Sequence, residues 1–388
     1  MQFIKTYQPQ YYEKFTCTGT ECKNNCCHHW GINIDKCAYD KYMNLDEESK
    51  KDFDENIAFF ENDKDKPFFK LQPNGNCSFL NDEGLCRIQI KFGHDFLSET
   101  CRKYPRIACN VGGGPEYFLE LSCEVAANLI LFDKGYMNFI EIDVPSDVYY
   151  TTALNFNYVF NPEKYTKSTD GYTIFWKLRV TSMSILQNRN YTIRFRMLLL
   201  CMFIQEAADL FEARKDNDVI TLSDIYLARF EQKYYDELAS KMPQGIEREY
   251  NIILDVLKEM HDKFKTSRQM YNTAKEGLGI DADFWEIPED FHETFNDSYN
   301  KHLAANEAIF ENYLVHRVLS EAFPFNYKNK DNITTNFVDL LAKFNMVEFL
   351  VTGICNYYNG VDNNKIADCI SIFTRGYEHS REKYLEIE

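Results

Sequence analysis

The chain has 388 residues, 45% of them apolar in the broad sense and 27% charged, with 43 Lys and Arg against 60 Asp and Glu. That length suits two or three domains. The formal net charge of −17 argues against a duplex nucleic-acid binder, which needs surplus cations to displace condensed counterions, and against docking on an anionic membrane. The longest apolar run, Met197 to Ile204, is far short of the ~20 residues of a spanning helix. Met1-Gln2-Phe3-Ile4-Lys5-Thr6 leads into polar residues rather than an apolar leader core, so a soluble, cytoplasmic protein is expected.

Along the chain, the first feature is Cys17-x4-Cys22-x3-Cys26-Cys27, four thiols within eleven residues. Asp46 to Asp65 reads as a charged helix with Phe53, Ile57 and Phe60 on one narrow stripe. Cys77-Ser78-Phe79-Leu80 and Leu85-Cys86 flank an Asn-Asp-Glu-Gly turn, which predicts a hairpin that brings two thiols to one side. Cys101 precedes Arg102-Lys103-Tyr104-Pro105-Arg106. The run Val111-Gly112-Gly113-Gly114-Pro115-Glu116 lacks the G-x-G-x-x-G spacing of a dinucleotide loop and reads as a turn. Cys123 opens a helix-like run from Val125 to Phe132, and Val144-Pro145-Ser146-Asp147 looks like a linker. Helices are predicted over Tyr172 to Gln187, Tyr191 to Arg214, Ile246 to Phe264, Asn296 to Phe323, Asn336 to Tyr358 and Asn364 to Leu385, with N-cap residues in Asp331-Asn332. The fold class is therefore mainly α. A small irregular Cys-rich metal-bound domain over 1–140 precedes a larger helical domain over 141–388.

Ten of the thirteen cysteines lie in the first 123 residues. Core cysteines would scatter evenly, and disulfides suit an oxidising compartment better than this chain. Thiolate ligation of a metal or cluster is the stronger reading. The candidate ligands are Cys17, Cys22, Cys26, Cys27, Cys77, Cys86, Cys101 and Cys123. Zinc and an iron–sulfur cluster both suit such donors. More thiols are present than one tetrahedral zinc would use. Arg102 and Arg106 could offset thiolate charge, or simply form surface ion pairs. His28 and His29 read as polar neighbours of the knuckle, and Trp30 as a packing lid. A radical-type C-x3-C-x2-C fails, because His29 stands at the third position.

These residues carry a resemblance. Phe15-Thr16-Cys17 through Cys26-Cys27-His28-His29-Trp30, Cys77-Ser78-Phe79-Leu80, Gly84-Leu85-Cys86-Arg87, Leu97-Ser98-Glu99-Thr100-Cys101-Arg102-Lys103-Tyr104-Pro105-Arg106 and Leu121-Ser122-Cys123 resemble the flagellin lysine-N-methylase (FliB) family. So do Glu311-Asn312-Tyr313-Leu314, Phe323-Pro324-Phe325 and Phe373-Thr374-Arg375-Gly376-Tyr377-Glu378-His379-Ser380. The family often has Pro after the last cysteine, where this chain has Glu124. The resemblance implies a methyltransferase that uses S-adenosylmethionine on lysines of flagellin, with a cluster, expected to be [4Fe-4S], on the N-terminal cysteines and zinc as the alternative.

That chemistry needs a neutral lysine amine, and hence a lowered pKa or a base, and it needs the methyl held in line with the nitrogen. Arg375, Glu378 and His379 share a helix face at i, i+3 and i+4 and are the candidate catalytic residues. The bland reading is a surface salt-bridge cluster. Arg102, Arg106 and Tyr313 are the candidate cofactor-binding residues. His316 and Arg317 could equally be polar residues of helix packing. Aromatic walls for a sulfonium could come from 26 Tyr and 31 Phe, most of them core. A different class stays open, a non-catalytic iron–sulfur or zinc redox or sensor module with a helical partner-binding region.

Overall fold

The computed structural model describes residues 3–22, 26–28, 31–60, 63–111, 115–145, 158–159, 171–241, 250–263, 267–281, 283, 285–326 and 332–381. The chain is mainly helical, as its periodicity predicts. Its residues group into two compact units that interleave in sequence. The larger takes Met1–Lys14, Ala108–Phe118 and Ala127–Glu388; the smaller takes Phe15–Ile107 and Leu119–Ala126. No helix among the described residues is long and apolar enough to cross a membrane.

The larger unit is built on long helices, among them Gly171–Leu186, Ile193–Glu212, Tyr250–Lys263, Ala308–Ser320, Ile333–Tyr357 and Asn363–Arg381. Thr192 caps the second by accepting the Phe195 N–H, and Asn332 caps the fifth by accepting the Thr334 N–H at 2.8 Å. The predicted single helix over Asn296 to Phe323 is instead two, Phe291–His302 and Ala308–Ser320, with a 3₁₀ turn at Ala304–Asn306 between them. The two pieces have different surroundings. The first buries only Phe291, Phe295, Ser298 and Tyr299, whereas every residue from Ile309 to Ser320 is buried. One straight rod could not meet both. The helices Arg268–Gly277 and Ile333–Tyr357 touch backbone to backbone, so that a Cβ on Gly277 would fall 1.9 Å from the Gly353 carbonyl oxygen.

The larger unit also carries a sheet that the sequence reading did not expect. Strands β1 (Phe3–Pro9), β4 (Arg106–Asn110), β5 (Pro115–Leu119), β6 (Phe139–Pro145) and β7 (Tyr158–Val159) lie in the order β6-β1-β5-β4-β7. β1 pairs antiparallel with β6 from Phe3↔Pro145 to Pro9↔Phe139, and parallel with β5 at Tyr7↔Glu116. The alternation is present in β1, but its buried face is Thr6 and Gln8 while Lys5 and Tyr7 face out. Polar residues inside hide a period-two signal. Of the expected linker, Val144 and Pro145 end β6, and Ser146 and Asp147 lie outside the described residues, as do Gly112, Gly113 and Gly114 of the glycine turn.

The smaller unit is short elements around an aromatic core. Tyr42 stacks on Phe53 at 4.2 Å between ring centres, and Phe53 meets Phe79 at 5.0 Å. The expected helix from Asp46 to Asp65 stops at Asn56. The chain then turns into strands β2 (Ile57–Phe60) and β3 (Asp63–Phe69), paired antiparallel with Ile57 opposite Phe69. Phe53 and Ile57 are buried as the stripe predicts, but Phe60 is exposed. Ile-Ala-Phe-Phe is a better strand than helix, and a short one when its partner is only a few residues on. The Cys77–Cys86 hairpin is present in miniature. Leu80 bridges Cys86, Asn81 Oδ1 accepts the N–H groups of Glu83 and Leu85, and Gly84 sits at φ +76°, where a side chain is disfavoured.

Candidate functional site

Local structure in the smaller unit draws distant cysteines together. Cys77 N–H donates to the Cys27 carbonyl at 2.7 Å, and His28 pairs with Asn76. The hairpin returns Cys86 beside Leu80. Asp35 caps the helix Lys36–Met43 and also accepts the N–H of Glu99 at 2.7 Å, which anchors the short helix Glu99–Lys103 carrying Cys101. Cys27, Cys77, Cys86 and Cys101 consequently pack on one core.

The thiols feel one another. A hydrogen bond with Cys26, then burial, then the charges of Cys26, Cys77 and Cys101 hold Cys27 far above the usual thiol range. Burial pushes Cys77 up to about 11, against a hydrogen bond from the Phe79 backbone and helped by Cys86 and Cys26. Burial pushes Cys101 up to about 12, opposed by Ser98 and helped by Cys26, Cys86 and Cys77. Cys86 is raised chiefly by burial and, more weakly, by Cys26. Cys22 is raised by burial and then by Glu124, whose carboxylate accepts its hydrogen bond, with Cys123 and Cys26 adding. Cys26 is thus common to two groups: Cys27, Cys77, Cys86 and Cys101 on one side, Cys22 and Cys123 on the other. Cys17 is exposed, and all thirteen cysteines are free thiols.

Soft sulfur donors from several stretches fit a thiophilic ion or cluster in chemical kind, and a cation there would have to displace their protons. Among the described residues no three His, Cys, Asp or Glu side chains stand at the spacing that holds a metal ion. The convergence is electrostatic in range.

The two arginines expected beside the thiols differ. Arg102 is exposed. Arg106 is committed to packing, donating to the Phe15 carbonyl at 3.1 Å with its guanidinium 4.9 Å from the Phe15 ring centre. Lys23, Asn24, Asn25, His29 and Trp30 lie outside the described residues.

In the larger unit Glu311 of the late segments and the nearby Arg317 are internal. Glu311 accepts paired bonds from Arg189 at 2.8 and 3.0 Å and one from Arg196 at 2.7 Å. Asn312 donates to the carbonyls of Leu131 and Asp133. Asn336 donates to those of Pro324 and Phe325, so Phe323-Pro324-Phe325 is held from the adjacent helix. Tyr313 is fully buried, with the Arg317 guanidinium 5.3 Å from its ring centre, and Arg317 reaches Thr374 Oγ1 at 3.4 Å. The next residue is Arg375, half-buried on Asn363–Arg381. The structure therefore connects Tyr313 to the Arg375 helix through Arg317. Glu378 and His379 continue that helix, and their side chains lie outside the described residues.

Sequence reasoning missed a second cluster in this unit. A pocket of about 480 Å3 is walled by Tyr7, Phe139 and Trp176 and floored by Thr6, Glu116 and Arg179. Glu116 and Arg179 form a buried two-bond ion pair at 2.7 and 2.8 Å, and Arg179 also donates to the Leu319 carbonyl. The guanidinium lies 5.3 Å from the Trp176 ring centre, and Tyr7 meets that tryptophan edge-on at 5.9 Å. A signal was available in the sequence: Arg179 is a charge within a largely apolar helix, between Leu178 and Val180. Its partner Glu116 sits beside the glycine turn and was invisible as a pair.

A family model described as the FliB lysine N-methylase C-terminal domain matches residues 179–388. The chain is 22% identical over 404 residues to a lysine-N-methylase of Salmonella typhimurium, spanning 98% of this chain and 94% of that protein. It is 21% identical over 401 residues to a lysine-N-methylase of Salmonella choleraesuis, with the same two coverages. The flagellar biosynthetic protein FliU of Salmonella muenchen is 30% identical over 140 residues, which are 35% of this chain and 83% of that one. No solved structure matches the chain significantly.

Proposed function

The chain belongs to the FliB lysine N-methylase family, and from that premise we propose that it moves a methyl group from S-adenosylmethionine to lysine side chains of flagellin, in the cytoplasm. It is a protein-lysine N-methyltransferase, which decides between an enzyme and the non-catalytic module. The observation that carries the reading is alignment to lysine-N-methylases over almost all of both chains. The flagellar name of a third relative supports flagellin as acceptor.

In the reaction the lysine nitrogen lone pair forms the new N–C bond while the C–S bond breaks. The sulfur keeps that electron pair, giving S-adenosylhomocysteine. The lysine must first lose a proton, because the ammonium has no lone pair, and its usual pKa is about 10.4. We assign that proton to the Glu378/His379 stretch of the Asn363–Arg381 helix, with Arg375 as the cation that orients a carboxylate. The cysteine-rich portion would hold the cluster through thiols drawn from Cys17, Cys22, Cys26, Cys27, Cys77, Cys86, Cys101 and Cys123. Once bound there, the cluster supplies cross-links between chain segments far apart in sequence, a structural chemistry.

The test incubates the full chain, purified without oxygen, with flagellin and methyl-labelled S-adenosylmethionine. Label on flagellin lysines is expected. No transfer by protein that retains its metal would overturn the reading. Absorption of the same sample separates broad visible bands of iron–sulfur from colourless zinc.

A further inference from the structure

The pocket of the larger unit has the size, the walls and the spare hydrogen-bonding groups of a small-molecule site. Its volume, about 480 Å3, lies in the range of roughly 300–1,000 Å3 that encloses a cofactor-sized ligand, and far exceeds what one lysine side chain fills. Two buried polar atoms of residues that line it have no hydrogen-bond partner among the described residues, the hydroxyl of Thr6 and Nε of Arg179. Thr6 is 2% exposed and Arg179 is fully buried. A buried donor without a partner costs free energy comparable to a lost hydrogen bond, so a protein keeps one where a ligand completes it.

The charges narrow the ligand. Glu116 is already neutralised by Arg179, and Lys5 at the rim is paired with Glu141. The pocket therefore offers hydrogen-bond donors and aromatic walls without an uncompensated charge. Donors suit carboxylate or heterocycle nitrogen acceptors. Rings of Tyr7, Phe139 and Trp176 suit a flat base and, through their negative faces, a sulfonium. We infer that this pocket seats the methyl donor, an adenosyl sulfonium amino acid, with Thr6 and Arg179 donating to it. This rests on the proposed use of S-adenosylmethionine and adds its location.

Titration calorimetry of the full chain with S-adenosylmethionine and S-adenosylhomocysteine tests it. Three variants are compared with the unchanged protein. Trp176→Leu removes a partly exposed wall, and the Kd is expected to rise about tenfold. Val180→Trp fills the mouth from a position 48% exposed, where the larger side chain does not strain the core, and is expected to abolish binding. Thr6→Val keeps shape and deletes one donor, for a rise of about fivefold. Circular dichroism checks that each variant is folded, and Val180→Trp keeps the test decisive should Thr6→Val misfold. Binding by the unchanged protein with all folded variants equal to it would overturn the location and leave the methyltransferase reading standing. No binding of either ligand by the unchanged protein, together with no label transfer, would remove the methyl-donor reading and the pocket with it.

Discussion

The two units bury what water holds strongly, and they do so by different chemistry. The helical unit buries ion pairs. Glu116 with Arg179, Glu311 with Arg196, and Glu348 with Arg194 are paired inside the protein, and Arg189 joins Glu311 from a partly exposed position. The cysteine-rich unit buries thiols whose neighbours are other thiols, and every resolved shift among them is upward. A carboxylate beside a guanidinium is satisfied as it stands. A set of crowded thiols is satisfied in a pair of ways, by keeping its protons or by exchanging them for a cation. The first unit thus meets most of its buried charge from its own chain, whereas in the second burial leaves the thiols holding their protons, which the proposed ion would have to displace.

The largest expected effect tests that contrast directly. With the metal site proposed above, Cys77→Ala, or a chelator added to the unchanged protein, should abolish hydrogen-exchange protection in the helices Lys36–Met43 and Glu47–Asn56 while protection in Ala308–Ser320 persists. A thiolate-bound structural ion contributes on the order of 10 kcal/mol to folding, more than a unit this small has to spare. Unchanged protection in Lys36–Met43 after the metal is gone would mean that the aromatic core of Tyr42, Phe53 and Phe79 suffices alone.

The second effect is on the other side of the comparison. Glu116→Gln leaves the Arg179 guanidinium buried without its counter-charge, and breaking such a pair costs about 3–5 kcal/mol. Replacing both, Glu116→Leu with Arg179→Met, should recover most of that loss in urea unfolding. Equal midpoints for the single variant and the unchanged protein would show that the pair is not closed to water. A third and smaller effect is steric. A Cβ on Gly353 would come 2.2 Å from the Ala274 carbonyl oxygen, so Gly353→Ala must push the helices Arg268–Gly277 and Ile333–Tyr357 apart, for about 1–3 kcal/mol. A thermal midpoint that does not fall would contradict the close approach.

How far the sequence reveals all this follows from how locally each feature is encoded. Helices such as Tyr250–Lys263 announce themselves through periodicity, and Ile333–Tyr357 through its N-cap Asn332, because both signals lie within a few residues. The crowding of cysteines is likewise visible as density, and the Asn81–Gly84 turn as composition. The sheet is not visible, because β1 finds β6 and β5 more than a hundred residues away and turns Thr6 and Gln8 inward. The ion pairs are hidden for the same reason. Glu311 looks like a surface charge until Arg189 and Arg196 are placed against it. Tyr313 reads as a cofactor contact in a motif, and its complete burial beside Arg317 is not legible there, because Arg317 is placed against it only by the fold.

The smallest effect concerns a charge that needs no ion. Asp46 caps the helix Glu47–Asn56, accepting the Ser49 N–H at 2.9 Å. That backbone bond first, then the Ser49 hydroxyl, holds its carboxyl below the ordinary value of 3.8. The native state therefore prefers the charged form more than the unfolded chain does. The sign follows: the cap's contribution is fully present above the unfolded pKa and is lost as pH falls through the native one. Asp46→Ala should lower exchange protection of the helix Glu47–Asn56 at neutral pH, and the gap between variant and unchanged protein should close in acid. Asp46→Asn should retain part of the protection and lose the pH dependence, since an amide oxygen still accepts the Ser49 N–H. A gap that persists in acid would assign the loss to altered packing near Phe53 instead of the cap. Measured with and without a chelator, the same series separates the stability that the smaller unit draws from its own backbone from whatever the proposed metal adds.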